Sequence, residues 1–493
     1  MGETFATKIV RGGTLTFSAI TISRLVSFVS MIYLVRTLLP EDFGFTAMAF
    51  AALTSINLLT GFGTTHAIVQ SSAKPQDLGI AALLISWTSG IPLFLLFVVY
   101  AEQISLLYGT DQLRPLLTYL SPLILVHALA GVPFAFLQKN MRYGKRAVVL
   151  VSHELAHACV SVIAAATGHG LWSLIYGRIA RELTLLLVPW ALSQPKEWFR
   201  WALPPWTVIK EVWSFGAQTV TFSLLVFFNT AWYSLLLGRG LGPAALGYYT
   251  RAWAFATMPL EQFGQPLAGV LFPAYAKLQN DPDRLRRGYL RSIQIFSLLI
   301  FPVLTGLYAV SHEFVCTVMG AAWVPVIPIL QVLSIMGLFR VFPMTLSPLY
   351  LGMGVPRYNV GISAIDAVST VLLTLPTVRY GLFGVVLAGS LARVLSTLYA
   401  LKALSKVLPG ILPEVGRAIA APAAACGVMV AGIWAIRPVV HTVFSSVCGV
   451  GTLASLVLLG VCLYVGSVLL LDRKIITLGW DIWNSFRSSS LRN

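Results

Sequence analysis

Apolar runs of about 20 residues, long enough to cross a hydrocarbon layer of roughly 30 Å as helices, alternate with short polar stretches along the whole chain. Fourteen can be marked, at 14–38, 43–67, 78–100, 115–137, 147–167, 170–192, 211–237, 244–272, 290–310, 323–350, 358–378, 381–403, 415–436 and 447–471. The first is too long for a cleavable signal, and no small-residue cleavage site follows it. The pattern predicts an all-α polytopic membrane protein with about fourteen transmembrane helices.

The runs repeat. RTLLPEDFGFTAMAFA at 36–51 returns as RGLGPAALGYYTRAWA at 239–254, with Arg36, Leu38, Pro40, Gly44, Ala49 and Ala51 matching Arg239, Leu241, Pro243, Gly247, Ala252 and Ala254. Arg142-Tyr143 returns as Arg357-Tyr358, Gly170-Leu171-Trp172 as Gly381-Leu382-Phe383, and Ala180-Arg181 as Ala392-Arg393. Runs 1–6 and 7–12 therefore read as two copies of one six-helix unit. An even number of helices per copy gives both copies the same orientation, a parallel repeat whose axis lies along the membrane normal. The expected organisation is an N-terminal lobe at 1–200, a second lobe at 201–406, two further helices at 407–471 and a cytoplasmic tail at 472–493. Prolines at 259, 266 and 273 in the eighth run, and at 325, 328, 343 and 348 at or within the tenth, are candidate kinks or hinges.

Composition agrees. Of 493 residues, 57% are hydrophobic and 11% charged, against about 25% charged in soluble domains. The net charge of +16 is a topology signal and does not point to nucleic acid. With the N-terminus inside, 23 of the Lys and Arg residues fall in or at the edge of loops assigned to the cytoplasm, five in or at the edge of loops assigned outside and six deeper within spans. That asymmetry obeys the positive-inside rule and places both termini in the cytoplasm. Cytoplasmic loops so charged also suit contact with anionic membrane lipids. The five cysteines are scattered and odd in number, and imply no disulfide framework or metal motif.

Catalytic signals are scarce. No hydrophilic loop exceeds about 20 residues, and no phosphate loop or acidic glycosyltransferase cluster occurs. His153, Glu154 and His157 spell H-E-x-x-H, a formal metalloprotease pattern, but a third ligand has no evident source. No metal is expected there; a hydrogen-bonded polar patch or a titrating site facing a cavity are the other readings. Charged residues within membrane spans are costly, about 2.5–3.5 kcal/mol each on insertion scales, and mark functional sites. Arg24, Arg251 and Arg340 have no evident partner in local sequence and are candidates for lining a central cavity. Arg181 and Arg393, at equivalent repeat positions, either join them or lock helices together. Arg178 and Glu182 are spaced i,i+4 and can pair on one helix. Among the acids, Asp366, Glu154 and Glu261 are candidates for ion coupling, and Asp366 for pairing with an arginine. Guanidinium groups suit bidentate contact with phosphate.

Nearly the whole chain resembles Wzx-type polysaccharide flippases, in particular the colanic-acid-exporter-like branch of the multidrug/oligosaccharidyl-lipid/polysaccharide exporter superfamily. The motifs that carry the resemblance are RTLLPEDFGFTAMAFA, GFGTTHAIVQ at 61–70, YYTRAWAFATMP at 248–259, VLFPAYAKLQND at 270–281 and MGAAWVPVIPILQVLSIMGLFR at 319–340. Arg251 is the site residue carried over from it; Arg24 and Arg340 rest on position and charge. The resemblance implies two six-helix lobes, two extra helices, and transfer of undecaprenyl-diphosphate-linked oligosaccharide units across a bacterial inner membrane by alternating access, for export of exopolysaccharide, O-antigen or capsule. It implies no cofactor, a transporter and not an enzyme, and a polysaccharide polymerase and glycosyltransferases as working partners. Coupling to a proton or sodium gradient stays open. The alternatives are a lipid II flippase, a multidrug or cation antiporter, and a membrane glycosyltransferase or ligase. The second run carries no arginine, which weighs against the first; six arginines against four acids within spans weigh against the second.

Overall fold

The computed structural model describes residues 5–60, 63–444 and 447–471, with side chains at 5–17, 58, 66, 215–230 and 263–269 outside the description. The tail expected at 472–493 and Pro266 lie outside the described residues. Helices dominate, and among the described residues there is no strand. In chain order they are α1 (Phe5–Thr37), α2 (Pro40–Thr60), α3 (Thr64–Gln70), α4 (Pro75–Val99), α5 (Ala101–Tyr108), α6 (Leu113–Leu120), α7 (Pro122–Lys139), α8 (Tyr143–Ala166) and α9 (Trp172–Leu192). There follow α10 (Trp206–Leu241), α11 (Pro243–Leu278), α12 (Pro282–Ala309), α13 (Ser311–Phe314), α14 (Val326–Gly352), α15 (Arg357–Thr377), α16 (Gly381–Val407), α17 (Leu412–Val443) and α18 (Val450–Leu471).

Every expected span has a helical counterpart. Among the described residues nine stretches are long and apolar enough to cross a membrane, one of them, Arg357–Val407, holding both α15 and α16. Two expected spans are broken. The second is divided between α2 and α3, and Gly63 at φ 62 opens α3 from the left-handed region that glycine enters at least cost. The fourth is divided into α6 and α7 at Ser121, with Pro122 at the start of α7. The helix-interior prolines do not end their helices: α14 continues through Pro343 and Pro348.

The chain forms two compact units, Met1–Thr250 and Arg251–Asn493. The sequence repeat begins its second copy at 201, yet α10 packs on α2, α3 and α4 within the first unit. The twice-written motif acquires its reason there. A Cβ on Gly44 would lie 1.8 Å from the carbonyl oxygen of Pro243, and a Cβ on Gly247 would lie 1.9 Å from that of Pro40. The first turn of α2 thus rests on the glycine of α11, and the first turn of α11 on the glycine of α2. Small residues let two backbones approach in this way. Gly44→Ala should force backbone apart and cost about 1–3 kcal/mol, read as a lowered unfolding midpoint in detergent. Gly427→Ala, with nothing within 4 Å of its Cβ, should leave the midpoint unchanged.

In the first unit, buried Trp198 stacks on Phe136 at 5.0 Å and fills the space left by Gly79, where a Cβ would meet its carbonyl at 2.2 Å. In the second, Tyr289, Tyr350 and Phe296 are fully buried, and the Tyr350 hydroxyl donates to the Ala400 carbonyl at 2.6 Å. At the end of the second unit assigned to the cytoplasm, the Arg286 guanidinium donates to both Glu414 oxygens at 2.6 and 2.8 Å. That fork ties α12 to α17 and holds the Glu414 carboxyl below its ordinary range.

Candidate functional site

Among the described residues, each compact unit holds a cluster of the charged side chains singled out in the sequence. In the first unit α1 and α9 both pack on α8, and α7 packs on α9. Glu154, buried on α8, accepts a hydrogen bond from the Ser27 hydroxyl of α1. Its other oxygen lies 3.8 Å from an Arg181 Nη2 of α9 and 3.6 Å from His153 Nε2. His153 Nδ1–H donates back to the Val149 carbonyl at 2.7 Å. Next to Arg181 on α9, Glu182 accepts from Arg178 at 2.9 Å, the expected i,i+4 pair, and lies 3.8 Å from His127 Nδ1 of α7. The Arg178 guanidinium also stands 5.4 Å from the Phe50 ring centroid. His157 packs against the backbone of α9: a Cβ on Gly177 would be 2.9 Å from its Nδ1 and 1.8 Å from Ser161 Oγ.

The H-E-x-x-H segment is therefore built into a polar junction of α1, α8 and α9. Its carboxylate is engaged by a hydroxyl, an imidazole and a guanidinium. Among the described residues, no group of three or more His, Cys, Asp or Glu side chains is placed to hold a metal ion. Buried charges are kept when partners offset them: one oxygen each of Glu154 and Glu182 accepts a close hydrogen bond, while Glu182 Oε2 is buried without one.

The second unit places Arg340 of α14 and Arg393 of α16 over one ring, that of Trp253 on α11, at 4.8 and 4.5 Å from its centroid. Guanidinium over indole is attractive because the ring face is electron-rich, worth about 0.5–2 kcal/mol. The same two arginines line a cavity of about 400 Å³ with Ser363, Asp366, Ser396 and Thr397. Ser396 Oγ donates to Asp366 Oδ1 at 3.5 Å. Two cations, a carboxylate and hydroxyls thus converge on one polar recess among helices α14, α15 and α16, a chemistry suited to an anionic group bearing hydroxyls.

The structure brings together Arg340, Arg393 and Asp366 in one site, and Glu154 with Arg181 in another. In each unit the acid lies on the fifth helix of the sequence repeat and the arginine on the sixth. Arg251 lies on α11, two residues before Trp253 and mostly buried, outside the residues that line the cavity. Arg24 is half-buried on α1, three residues before Ser27. Glu261 is exposed on α11 and does not line the second-unit recess. Sequence reading missed Trp253, Ser27, His127 and Ser396. The available signal for Trp253 was its place two residues from Arg251 in the eighth run. The other three contacts are made across helices and carry no local pattern.

The family model described as "Polysaccharide biosynthesis protein" matches residues 33–328. Among curated proteins, the chain is 27% identical to the lipopolysaccharide biosynthesis protein WzxC of Escherichia coli (strain K12), over 63% of each chain. It is 26% identical to the succinoglycan biosynthesis transport protein ExoT of Rhizobium meliloti (strain 1021), over 62% of each. The aligned region spans a little under two thirds of these relatives' length. Among solved structures, the inward closed conformation of the lipid II flippase MurJ matches with a TM-score of 0.75 at 16% identity, covering 93% of this chain and 99% of that one. An inward-facing multidrug resistance MATE family transporter of the MOP superfamily matches with a TM-score of 0.65 at 15% identity, covering 80% and 98%. These two likenesses show the fold, an all-α polytopic membrane architecture.

Proposed function

From the premise that this chain belongs to the polysaccharide biosynthesis protein family, we propose that it moves polyprenyl-diphosphate-linked oligosaccharide units across a bacterial inner membrane, both termini facing the cytoplasm. The observation that carries this reading is the recess of the second unit, where Arg340 and Arg393 meet hydroxyls and a carboxylate inside a membrane helix bundle. A diphosphate needs fixed cations in a place lipid does not reach, and planar guanidinium groups provide them with directed donors. A glycan needs hydroxyl and carboxylate partners, which Ser363, Asp366, Ser396 and Thr397 supply. The lipid tail needs no polar site and can remain in the bilayer. Arg251 and Arg24 belong to the same reading as further cations on helices that flank the path.

Two parallel lobes rocking about a central site would move the head group by alternating access. Asp366 and Glu154, each set beside or in one cavity with an arginine, are the acids best placed to couple that motion to a proton or sodium gradient; exposed Glu261 is less so. Partners would be the glycosyltransferases that load the lipid and the polymerase that consumes the delivered unit. This is transport, with no bond made or broken. The likeness to WzxC, a lipopolysaccharide biosynthesis protein, and to ExoT, a succinoglycan biosynthesis transport protein, supports the substrate class over a lipid II precursor or a drug.

Lipid mass spectrometry of a deletion strain tests the proposal. A polyprenyl-diphosphate glycan should accumulate several-fold while the surface polymer is lost. Normal surface polymer with no accumulated lipid-linked glycan would overturn it.

A further inference from the structure

The connection from α9 to α10 carries an apolar surface that the transport site does not use. Trp201, Leu203 and Trp206 are 92%, 87% and 73% exposed. The surface continues on the first turns of α10, where exposed Trp206, Lys210 and Trp213 follow at i, i+4 and i+7 on one helix face, while Val208 and Val212 are buried. The connection itself is fixed to the helix ends beside it. Fully buried Trp198 stacks on Phe136 near the end of α7, and its indole N–H donates to Ser193 Oγ at 3.2 Å. The Arg142 guanidinium forks onto both Glu197 oxygens at 2.8 and 2.9 Å, and Lys145 Nζ donates to the Leu192 carbonyl at the end of α9 at 2.9 Å. From Trp198 the rings step outward, to Phe199 at 6.2 Å and from Phe199 to Trp201 at 5.2 Å, each edge to face. The exposed rings thus stand on a fixed base.

We infer that residues 199–213 form an anchor in the headgroup layer of the cytoplasmic leaflet, with Trp201, Leu203 and Trp206 seated at the edge of the acyl chains and the neighbouring Lys and Arg side chains on anionic phospholipid. The inference rests on the orientation proposed above, which puts the end of α9 and the start of α10 on the cytoplasmic side. Connectivity sets the depth. The 21 residues of α9 span about 30 Å, the thickness of the hydrocarbon core, so the chain that follows leaves the bilayer at its boundary. Trp198 keeps it there, packed in one core cluster with Leu78 near the start of α4 and Phe136 near the end of α7. Tryptophan suits that layer because its ring body is apolar and its N–H stays wet. Charge complementarity picks the lipid. Lys196, Arg200 and Lys210 are exposed around the rings, against exposed Glu211 and against Glu197, which Arg142 already holds. Lys145 and Arg146 add to the same end. Basic side chains at this level are drawn to anionic headgroups of the cytoplasmic leaflet. The anchor lies between the sixth and seventh expected spans, so it holds the cytoplasmic end of α10 at a set depth.

The test reads the surroundings of residue 203 in the full chain. A nitroxide is attached to Leu203→Cys, with the five native cysteines replaced by serine and export retained, in vesicles of phosphatidylethanolamine and phosphatidylglycerol. Oxygen should relax the label several-fold more than a neutral, water-soluble nickel chelate does. The chelate's effect should rise several-fold when phosphatidylcholine replaces the anionic lipid, or when Lys196→Gln, Arg200→Gln and Lys210→Gln are combined. A label as open to the chelate as one at exposed Asp283→Cys, or one indifferent to lipid charge, would overturn the inference. In cells, benzoylphenylalanine in place of Leu203, with the native cysteines kept, should photo-cross-link to phospholipid. Cross-linking to a second protein would give the surface a protein partner and sink the anchor. Sidedness is read separately, with Lys196→Cys on the serine background in spheroplasts, which should react with a membrane-impermeant maleimide only after permeabilisation. Reaction in intact spheroplasts would overturn the orientation proposed above and this inference with it. A cytoplasmic residue 196 together with a water-exposed label at 203 would remove the anchor alone.

Discussion

Export of the glycan should fall about 30-fold or more when Arg393 is replaced by alanine, at membrane levels matched to the parent protein. Arg393 lines the polar recess beside Asp366 and shares the Trp253 ring with Arg340. A desolvated cation–π contact is worth about 2 kcal/mol or more, and about 1.4 kcal/mol is a factor of ten. Arg393→Lys should recover part of the loss, because it keeps the charge and gives up the planar fork. Arg340→Ala should behave alike. Trp253→Phe should cost less than Trp253→Ala, since a smaller ring still offers a face to both guanidinium groups. Export and surface polymer measured across this series, with the protein quantified by immunoblot, decide the matter. Full export by Arg393→Ala would take the recess out of the transport path.

The second large effect is on stability and belongs to the first unit. Glu182→Ala leaves the Arg178 guanidinium, 22% exposed in its side chain, without the carboxylate that accepts from it. Breaking one partner of a buried pair costs about 3–5 kcal/mol, a large part of the net stability of an ordinary domain. The variant should be scarce in membranes and unfold at a lower temperature in detergent. Removing both charges, as Arg178→Met with Glu182→Met, should restore much of the loss, because no uncompensated charge is left. A Glu182→Ala protein with the parent's midpoint would show that this pair does not hold α9 in place.

How much of this was legible beforehand depends on whether a feature is local. The helices were, because crossing a bilayer demands an apolar run of fixed length, and fourteen such runs led to helices. The break at Gly63 was not, since it depends on one backbone angle. The repeat was legible as matched letters at 40/243 and 44/247; that the first turns of α2 and α11 sit on each other appeared only with the backbones in place. The Arg178–Glu182 pair follows from helix period alone. Glu154 with Arg181 and Ser27, and Trp253 beneath Arg340 and Arg393, join different helices, and single-chain spacing does not encode which helix faces which.

The most direct test of transport through the second-unit recess uses purified protein in vesicles that carry a polyprenyl-diphosphate oligosaccharide in both leaflets. A membrane-impermeant glycosidase reads the outward-facing share. With the parent protein the whole pool should become cleavable over time, while vesicles with the Arg340→Ala, Arg393→Ala double variant should stop at the share that began outside. Equal cleavage by the double variant and the parent, or a parent no better than protein-free vesicles, would contradict the account.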